Sequence, residues 1–452
     1  MNEEEKHKFL TTAPVHRVIS KLAVPTIISM LVVSFYNIAD TFFVGQIDTQ
    51  STAAVGIVAS VMFIIQAVGF FFGHGSGNYI SRQLGARQLE NARRMVATGV
   101  VYSFSFGVLI AVVGLLLLTP ISLVLGSTPT ILPYTEKYLA IILCGAPLVS
   151  TQLTVNNQMR LQGNAAYAMV GIVSGSILNL FLDPLFIFTF GMGVSGAALA
   201  TVVSQLFSLC LLLLMTHYGG NLRIDLRLFT PSMEYICEII SGGAPSLTRQ
   251  ILNAIAGIML NTAAGRWGGD AAIAGMSIVT RLSFFINAVL IGFGQGFQPL
   301  CGFSFGAKLY RRVMSGYWFC VKVGTVFLLV IAIFGLGFAE EVIAIFRKDD
   351  LDVITIGASA FRWQLITYPL GAIVMYSNMM MQTIRKPVKA TILSGARQGL
   401  FFIPCIIIMP MFMGLQGVVM CQAVADVFSF LLAIPLTTSV LLELRDKELG
   451  KK

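Results

Sequence analysis

Phe35–Gly45 reads FYNIADTFFVG, and it closes the first long apolar segment of the chain. Within it stands one carboxylate, Asp40, among Phe, Ile, Ala and Val. An acid inside a membrane span costs about 2.5 kcal/mol or more, so its presence there points to function. Tyr36 and Asp40 are four residues apart and share one helix face, with Asn37 beside them. Whether this segment crosses a bilayer depends on the rest of the chain.

The composition says that it does. Of 452 residues, 56% are hydrophobic and only 11% charged, and the mean hydropathy is +0.82. That is too little charge to cover a water-exposed surface, and long apolar runs imply a polytopic helical membrane protein. The net charge of +9 then reads as loop charge on one membrane face, and not as a nucleic-acid footprint. The seven cysteines form no CxxC pair and have no histidine partners, so they are structural thiols and not metal or disulfide chemistry. The N-terminal MNEEEKHKFL lacks the short apolar region and small-residue site of a cleaved signal peptide.

With about 20 residues per span, twelve helices are expected, near 18–44, 52–80, 95–118, 134–160, 167–190, 194–216, 237–263, 271–303, 313–338, 354–382, 389–411 and 415–442. Lys and Arg gather in alternate loops, at Arg82, Arg87, Arg93 and Arg94, at Arg223 and Arg227, at Lys308, Arg311 and Arg312, at Arg385, Lys386 and Lys389, and at both termini. The intervening loops hold none apart from Arg266, Arg347 and Lys348, the last two beside Asp349, Asp350 and Asp352. This asymmetry places both termini in the cytoplasm, as an even number of spans requires.

The two halves repeat at an offset of about 220 residues, which leaves a cleft between two bundles. KLAVP (Lys21–Pro25) faces SGGAP (Ser241–Pro245), AVGFFFGHGSG from Ala67 faces AVLIGFGQGFQ from Ala288, and Gly85-Ala86 faces Gly306-Ala307. Asp183-Pro184 falls opposite Ile403-Pro404, and Gly193 and Gly196 opposite Gly414 and Gly417. Six helices per half put both halves into the membrane from the same side. The expected fold is therefore all-α, with two six-helix bundles related by a pseudo-two-fold along the membrane normal. The lobes are 1–216 and 237–452, joined by a polar, basic cytoplasmic linker, 217–236.

The fifth span reads SILNLFLDPLFIF and places Asn179 and Asp183 four apart, with Pro184 loosening the helix beyond them. The sixth carries Thr201 in AALATVVSQ. At 1.5 Å per residue, Asp40 lies roughly 7 Å, and Asp183 and Thr201 roughly 10 Å, below the outer ends of their spans. Three helices of one bundle thus present oxygen groups at one depth. The second half has no equivalent: Asp40 maps near Leu260, Asp183 to Ile403 and Asn179 to Gly399. Two carboxylates in an apolar bundle rest either by holding a proton or by enclosing a small hard cation such as Na⁺, with amide and hydroxyl oxygens completing the shell. A buried network that only fixes helix packing is the competing reading.

Further candidates to line the cleft or contact a substrate are Tyr36, Asn37, Asn156, Asn157, Arg281, Met379 and Arg397, with Arg160 near the cytoplasmic end of the fourth span. For Arg281 and Arg397 a buried cation needs a partner or water. Met375 and Met379–Met381 form a polarizable patch, for which ordinary lipid or core packing is the preferred reading over a binding surface. His74, within GHGSG, suits a close helix crossing made by Gly73, Gly75 and Gly77.

NxxDTxFVG in the first span, NLxLDP in the fifth and GxxGAALAT opening the sixth, on two six-helix halves, resemble the multidrug and toxic compound extrusion (MATE) transporters, in their prokaryotic DinF/MepA-like branch. The resemblance covers residues 10–445. It implies a secondary active transporter and not an enzyme: a multidrug exporter driven by H⁺ or Na⁺ entry, working by alternating access in a bacterial or archaeal cytoplasmic membrane. It also implies a cation site at Asp40, Asn179, Asp183 and Thr201. Some relatives carry an acid in the fourth span where Asn156 stands, and other branches place acids in the C-terminal lobe, which this chain lacks. The expected partners are amphipathic, cationic small molecules and the lipid bilayer. No cofactor, nucleic acid or ATPase subunit is expected; the chain carries no GxxxxGK[ST]. A monomer is expected. A flippase for lipid-linked substrates is the alternative, and it would need a basic cleft from Arg281, Arg397 and Arg160. A channel would need a continuous polar path.

Overall fold

The computed structural model describes residues 3–346 and 350–450, and these contain helices and no strand. Arg347, Lys348 and Asp349, whose charges interrupt the loop pattern, and the terminal Lys451 and Lys452 lie outside the described residues. A short helix, α1 (Glu3–Thr12), precedes the first span, α2 (Val15–Gly45). The first bundle continues through α3 (Thr49–Gly85), α4 (Leu89–Leu116), the short α5 (Leu118–Val124), α6 (Leu132–Leu161), α7 (Ala165–Pro184) and α8 (Val194–Met215). The second comprises α9 (Met233–Gly306), α10 (Tyr310–Gly337), the short α11 (Ala339–Phe346), α12 (Leu351–Thr383), α13 (Pro387–Gly395), α14 (Phe402–Met413) and α15 (Leu415–Glu448).

Ten of the helical segments are long and apolar enough to cross a membrane, with α13 and α14 counted as one. The other two expected spans have identifiable reasons for not being counted. The 74 residues of α9 would make a rod of about 110 Å, but Gly269 breaks it with φ 63° and ψ −159°. That conformation suits a glycine, and it falls between the two spans expected there. The tenth expected span, α12, buries Gln364, Thr367, Tyr368, Asn378 and Gln382 against its neighbours, and these polar residues keep its hydropathy low. The second bundle begins at Met233, four residues before the expected boundary. The Ser232 hydroxyl accepts from Tyr235 N at 3.3 Å and caps the helix there.

The repeat is geometric as well as sequential. Gly193 and Gly414 adopt φ 56°, ψ −134° and φ 58°, ψ −135° in front of α8 and α15. A Cβ on Gly196 or Gly417 would collide with the backbone of the preceding helix, Phe186 or Met409, at 2.8 Å and 2.5 Å. Asn156 Nδ2 donates to Ala168 O at 2.8 Å, and its counterpart Asn378 Nδ2 donates to Ala390 O at 2.6 Å. These two asparagines tie consecutive spans together, so Asn156 serves packing and lies apart from the carboxylate cluster.

The bundles meet over the half of the membrane nearest the basic loops. Gly75 of α3 crosses α9 so closely that a Cβ would stand 2.3 Å from Ile239 O. Its repeat partner Gly296 crosses α2, where a Cβ would stand 2.6 Å from Ala23 N. Gly292, Gly302 and Gly306 continue the seam against Ile27, Ser81 and Arg82. Small residues permit this approach, and dispersion contacts between backbones hold it.

Candidate functional site

Three helices deliver oxygen atoms to one place in the first bundle. Asp183 (0% exposed) and Asn179 come from α7, Thr201 from α8, and Asp40 with Tyr36 from α2. The Asp40 and Asp183 carboxyl groups lie within hydrogen-bonding reach of each other. Asn179, oriented so that its amide does not set oxygen against oxygen, donates Nδ2 to Asp183 Oδ2 at 2.8 Å and accepts from Thr201 N at 3.3 Å. Thr201 Oγ1 donates to Ala197 O at 3.1 Å and is reached by the Tyr36 hydroxyl.

Asp40 Oδ1 and Asp183 Oδ1 are both buried without a hydrogen-bond partner. A buried acceptor left unpaired costs about 1–3 kcal/mol, and more when it is charged. Such a pair could hold a proton, or a cation small enough to touch both carboxylates and the neighbouring amide and hydroxyl oxygens. The donor set fits either. It contains only oxygen ligands, which suits a hard cation.

The helix breaks where the sequence expects it. Beyond Pro184 the chain runs through a π-helical turn, Leu185–Thr189, whose widened ladder accommodates the proline's missing donor. Tyr138 of α6 was missed by the sequence reading. It is buried against the same group, close to Asp40, Tyr36 and Asp183. Counting depth would have found it, since it stands about 9 Å into its helix. Asn37 points away from the cluster and is exposed.

The remaining candidates lie elsewhere. Arg397, in a second π-helical turn (Ala396–Leu400), forms a two-pronged ion pair with Asp426 at 2.7 and 3.3 Å. Gln422 Nε2 and Thr367 Oγ1 complete the Asp426 shell at 2.9 and 3.4 Å. The second bundle therefore holds a self-neutralised pair where the first holds two acids. Met379 is buried with its sulfur against Gly294 and forms no open patch. Arg281 is exposed.

Asn157 joins the seam. Its Oδ1 accepts from Arg160 Nη2 at 2.7 Å, while Arg160 Nη1 donates to Gln298 Oε1 at 3.0 Å and Gln295 O at 3.2 Å of the second bundle. Arg160 Nη2 also donates to His74 Nε2 at 3.1 Å, and His74 Nδ1 faces Ser246 Oγ at 3.0 Å. His74 is thus a packed seam residue, as its glycine neighbours suggest. Nearer the basic loops, Glu238 binds Arg82 at 2.6 Å and Arg385 at 2.7 Å.

The sequence model of the MatE family matches residues 25–185 and 245–408, the bulk of both bundles. The chain belongs to the MATE family. The multidrug export protein MepA of Staphylococcus aureus (strain MSSA476) is 27% identical over 429 residues, 94% of each chain. MepA of Staphylococcus saprophyticus is 25% identical, over 96% of this chain and 95% of its own. Among solved structures, an outward-facing multidrug resistance MATE transporter superposes with a TM-score of 0.90 at 26% identity, over 97% of this chain and 98% of that one. A Pyrococcus furiosus transporter, described as having a binding pocket of reverse polarity that suggests a different function, matches with a TM-score of 0.90 at 27% identity, over 97% and 98%. The chain shares the two-lobed, twelve-helix fold of the MATE transporters and is a multi-pass membrane protein of this family.

Proposed function

We propose that the protein is a cation-coupled antiporter that exports amphipathic, cationic drugs and toxic compounds across a bacterial or archaeal cytoplasmic membrane. The observation that carries this reading is the facing pair Asp40 and Asp183, each with a buried oxygen left without a partner. In one state of the cycle the pair holds H⁺ or Na⁺. Release of that ion leaves two carboxylates in apolar surroundings, which favours a different arrangement of α2, α7 and α8. The closed seam at the basic-loop face is then the cytoplasmic gate, and alternating access consists of opening it while the other face closes. The multidrug names of the MepA relatives support the substrate class. The flippase reading loses ground because its basic cleft is not assembled: Asp426 neutralises Arg397, and Arg160 is held in the seam.

The test is dye uptake into everted vesicles, whose lumen corresponds to the cell exterior, with a sodium or a proton gradient (high inside) imposed separately. Uptake stimulated by one gradient is expected; uptake indifferent to both overturns the coupling. The orientation has its own check. Cysteine labels at Gln50 and Thr130 are expected to react with impermeant reagents from outside, and labels at Glu90 and Lys308 only from inside. All four positions are exposed. Labelling of Gln50 from inside alone would reverse the topology.

A further inference from the structure

Among the described residues, Lys322 of α10, like Arg249 and Arg281 of α9, is a cation inside a span with no ion-pair partner. Lys322 stands twelve residues into α10, about 18 Å along a helix about 42 Å long. With a hydrocarbon core of about 30 Å, its backbone sits well below the headgroup level on the basic-loop side. Its side chain is exposed on the surface of the bundle. A lipid-facing cation at that depth is costly and must reach toward the interface or meet an anion. Among the described residues, neither the Lys322 ammonium nor the Arg311 guanidinium has a carboxylate within ion-pair distance. Glu448 is occupied by the Arg311 backbone N–H, at 3.2 Å.

Lys322 ends a groove of about 460 Å³ that Arg311, Met314, Ser315, Trp318 and Phe319 also line. All six residues lie on one face of α10, with Arg311 at the interfacial end, Lys322 at the deep end and apolar and aromatic side chains between them. Trp318, one turn nearer the interface than Lys322, is about half exposed. The floor reaches the seam: Phe319 packs on Phe293 at 6.2 Å and on His16 of α2 at 6.5 Å, centroid to centroid. A helix face with two cations outside any ion pair, aromatic side chains between them and a bilayer beside it matches one class of occupant by charge and shape.

We propose that this groove binds an anionic phospholipid, its phosphate held between Arg311 and Lys322 beside Trp318 and its acyl chains running deeper along the exposed Val326, Leu329 and Ile333 of the same helix. The phosphate supplies the counter-charge that the protein withholds, and drawing it below the mean headgroup level lets Lys322 remain where it is. Lipid in this position abuts both bundles through Phe319.

The test is native mass spectrometry of the full chain after equilibration with mixed vesicles of phosphatidylglycerol and phosphatidylcholine. The wild-type protein is expected to retain phosphatidylglycerol selectively, and the selectivity should shrink at high salt. Lys322→Gln should lower retention about fivefold, Arg311→Gln/Lys322→Gln further still, and Lys322→Arg should keep it. Equal retention of the two lipids by the wild type, a preference insensitive to salt, or undiminished retention by a double variant that elutes normally would each overturn the proposal. So would a dimer mass that replaces lipid at this groove. If the double variant does not fold, the wild-type salt response and the Lys322→Gln against Lys322→Arg comparison decide.

Discussion

Asp40→Asn and Asp183→Asn are each expected to abolish gradient-driven efflux while leaving protein in the membrane. An amide keeps the volume of the carboxyl and can still hydrogen-bond to its neighbour, so the local packing of α2, α7 and α8 survives. It cannot exchange a proton or neutralise a cation, so coupling does not survive. The orphaned Oδ1 of each acid sharpens the expectation. In a purely structural network, replacing one of two crowded carboxylates removes a desolvation cost and is neutral or stabilising; transport would then persist. Thr201→Val should weaken ion affinity without abolishing coupling, because it removes one neutral oxygen that water can replace. Asp426→Asn serves as the control. It uncovers Arg397 and should lower stability, yet leave coupling intact, since that pair is already neutral. The measurement is ion-stimulated dye uptake into everted vesicles, normalised to protein in the membrane. Normal stimulated rates in both Asp40→Asn and Asp183→Asn would sink the assignment.

The clustering of oxygen groups was legible in the sequence because membrane burial makes polar residues conspicuous. Asp40, Asn179, Asp183 and Thr201 are rare oxygen groups in apolar runs, and a rise of about 1.5 Å per residue brings them to one depth. The repeat offset also predicted the paired glycines at 193 and 414, because a backbone that needs positive φ keeps a glycine in both halves. What the sequence could not show was pairing across helices distant in the chain. Arg397 finds Asp426, and Glu238 finds Arg82 and Arg385, contacts set by how helices rotate about their axes and not by spacing along them. Met379 illustrates the same limit: a methionine suits a binding surface or a core, and only the approach of Gly294 decides for the core. Tyr138 was lost because an aromatic near a span end is normally an interfacial anchor. The short α5 and α11 were not anticipated either, since amphipathic segments of this length leave little periodicity to read.

Glu238→Gln is expected to open the gate. Glu238 is buried between Arg82 of the first bundle, at 2.6 Å, and Arg385 of the second, at 2.7 Å. Arg82 Nη1 also donates to Thr383 O at 2.7 Å, which bolts the end of α3 to the end of α12. Arg385 is largely exposed, so water screens its share. The pair with Arg82 is enclosed on both sides. Removing one partner from a buried ion pair costs about 3–5 kcal/mol, because the other charge is left uncompensated. Here the cost falls only on the seam-closed state, since Arg82 meets water once the bundles part. A bias of about 3 kcal/mol moves a two-state equilibrium by more than a hundredfold. Spin labels at Gln88 and Lys308, both exposed near the basic-loop end of the seam, should therefore report a longer distance in Glu238→Gln than in the wild type. A cysteine at Ser246, fully buried in the closed seam, should become reactive from the same side. Efflux should fall in parallel, because the state open to the opposite face is depopulated. Arg82→Gln/Glu238→Gln removes the stranded charge and should recover much of the closed population. An unchanged distance and an unreactive Ser246→Cys in the Glu238→Gln background would show that the glycine crossings at Gly75 and Gly296, and not the buried ion pair, hold the lobes together.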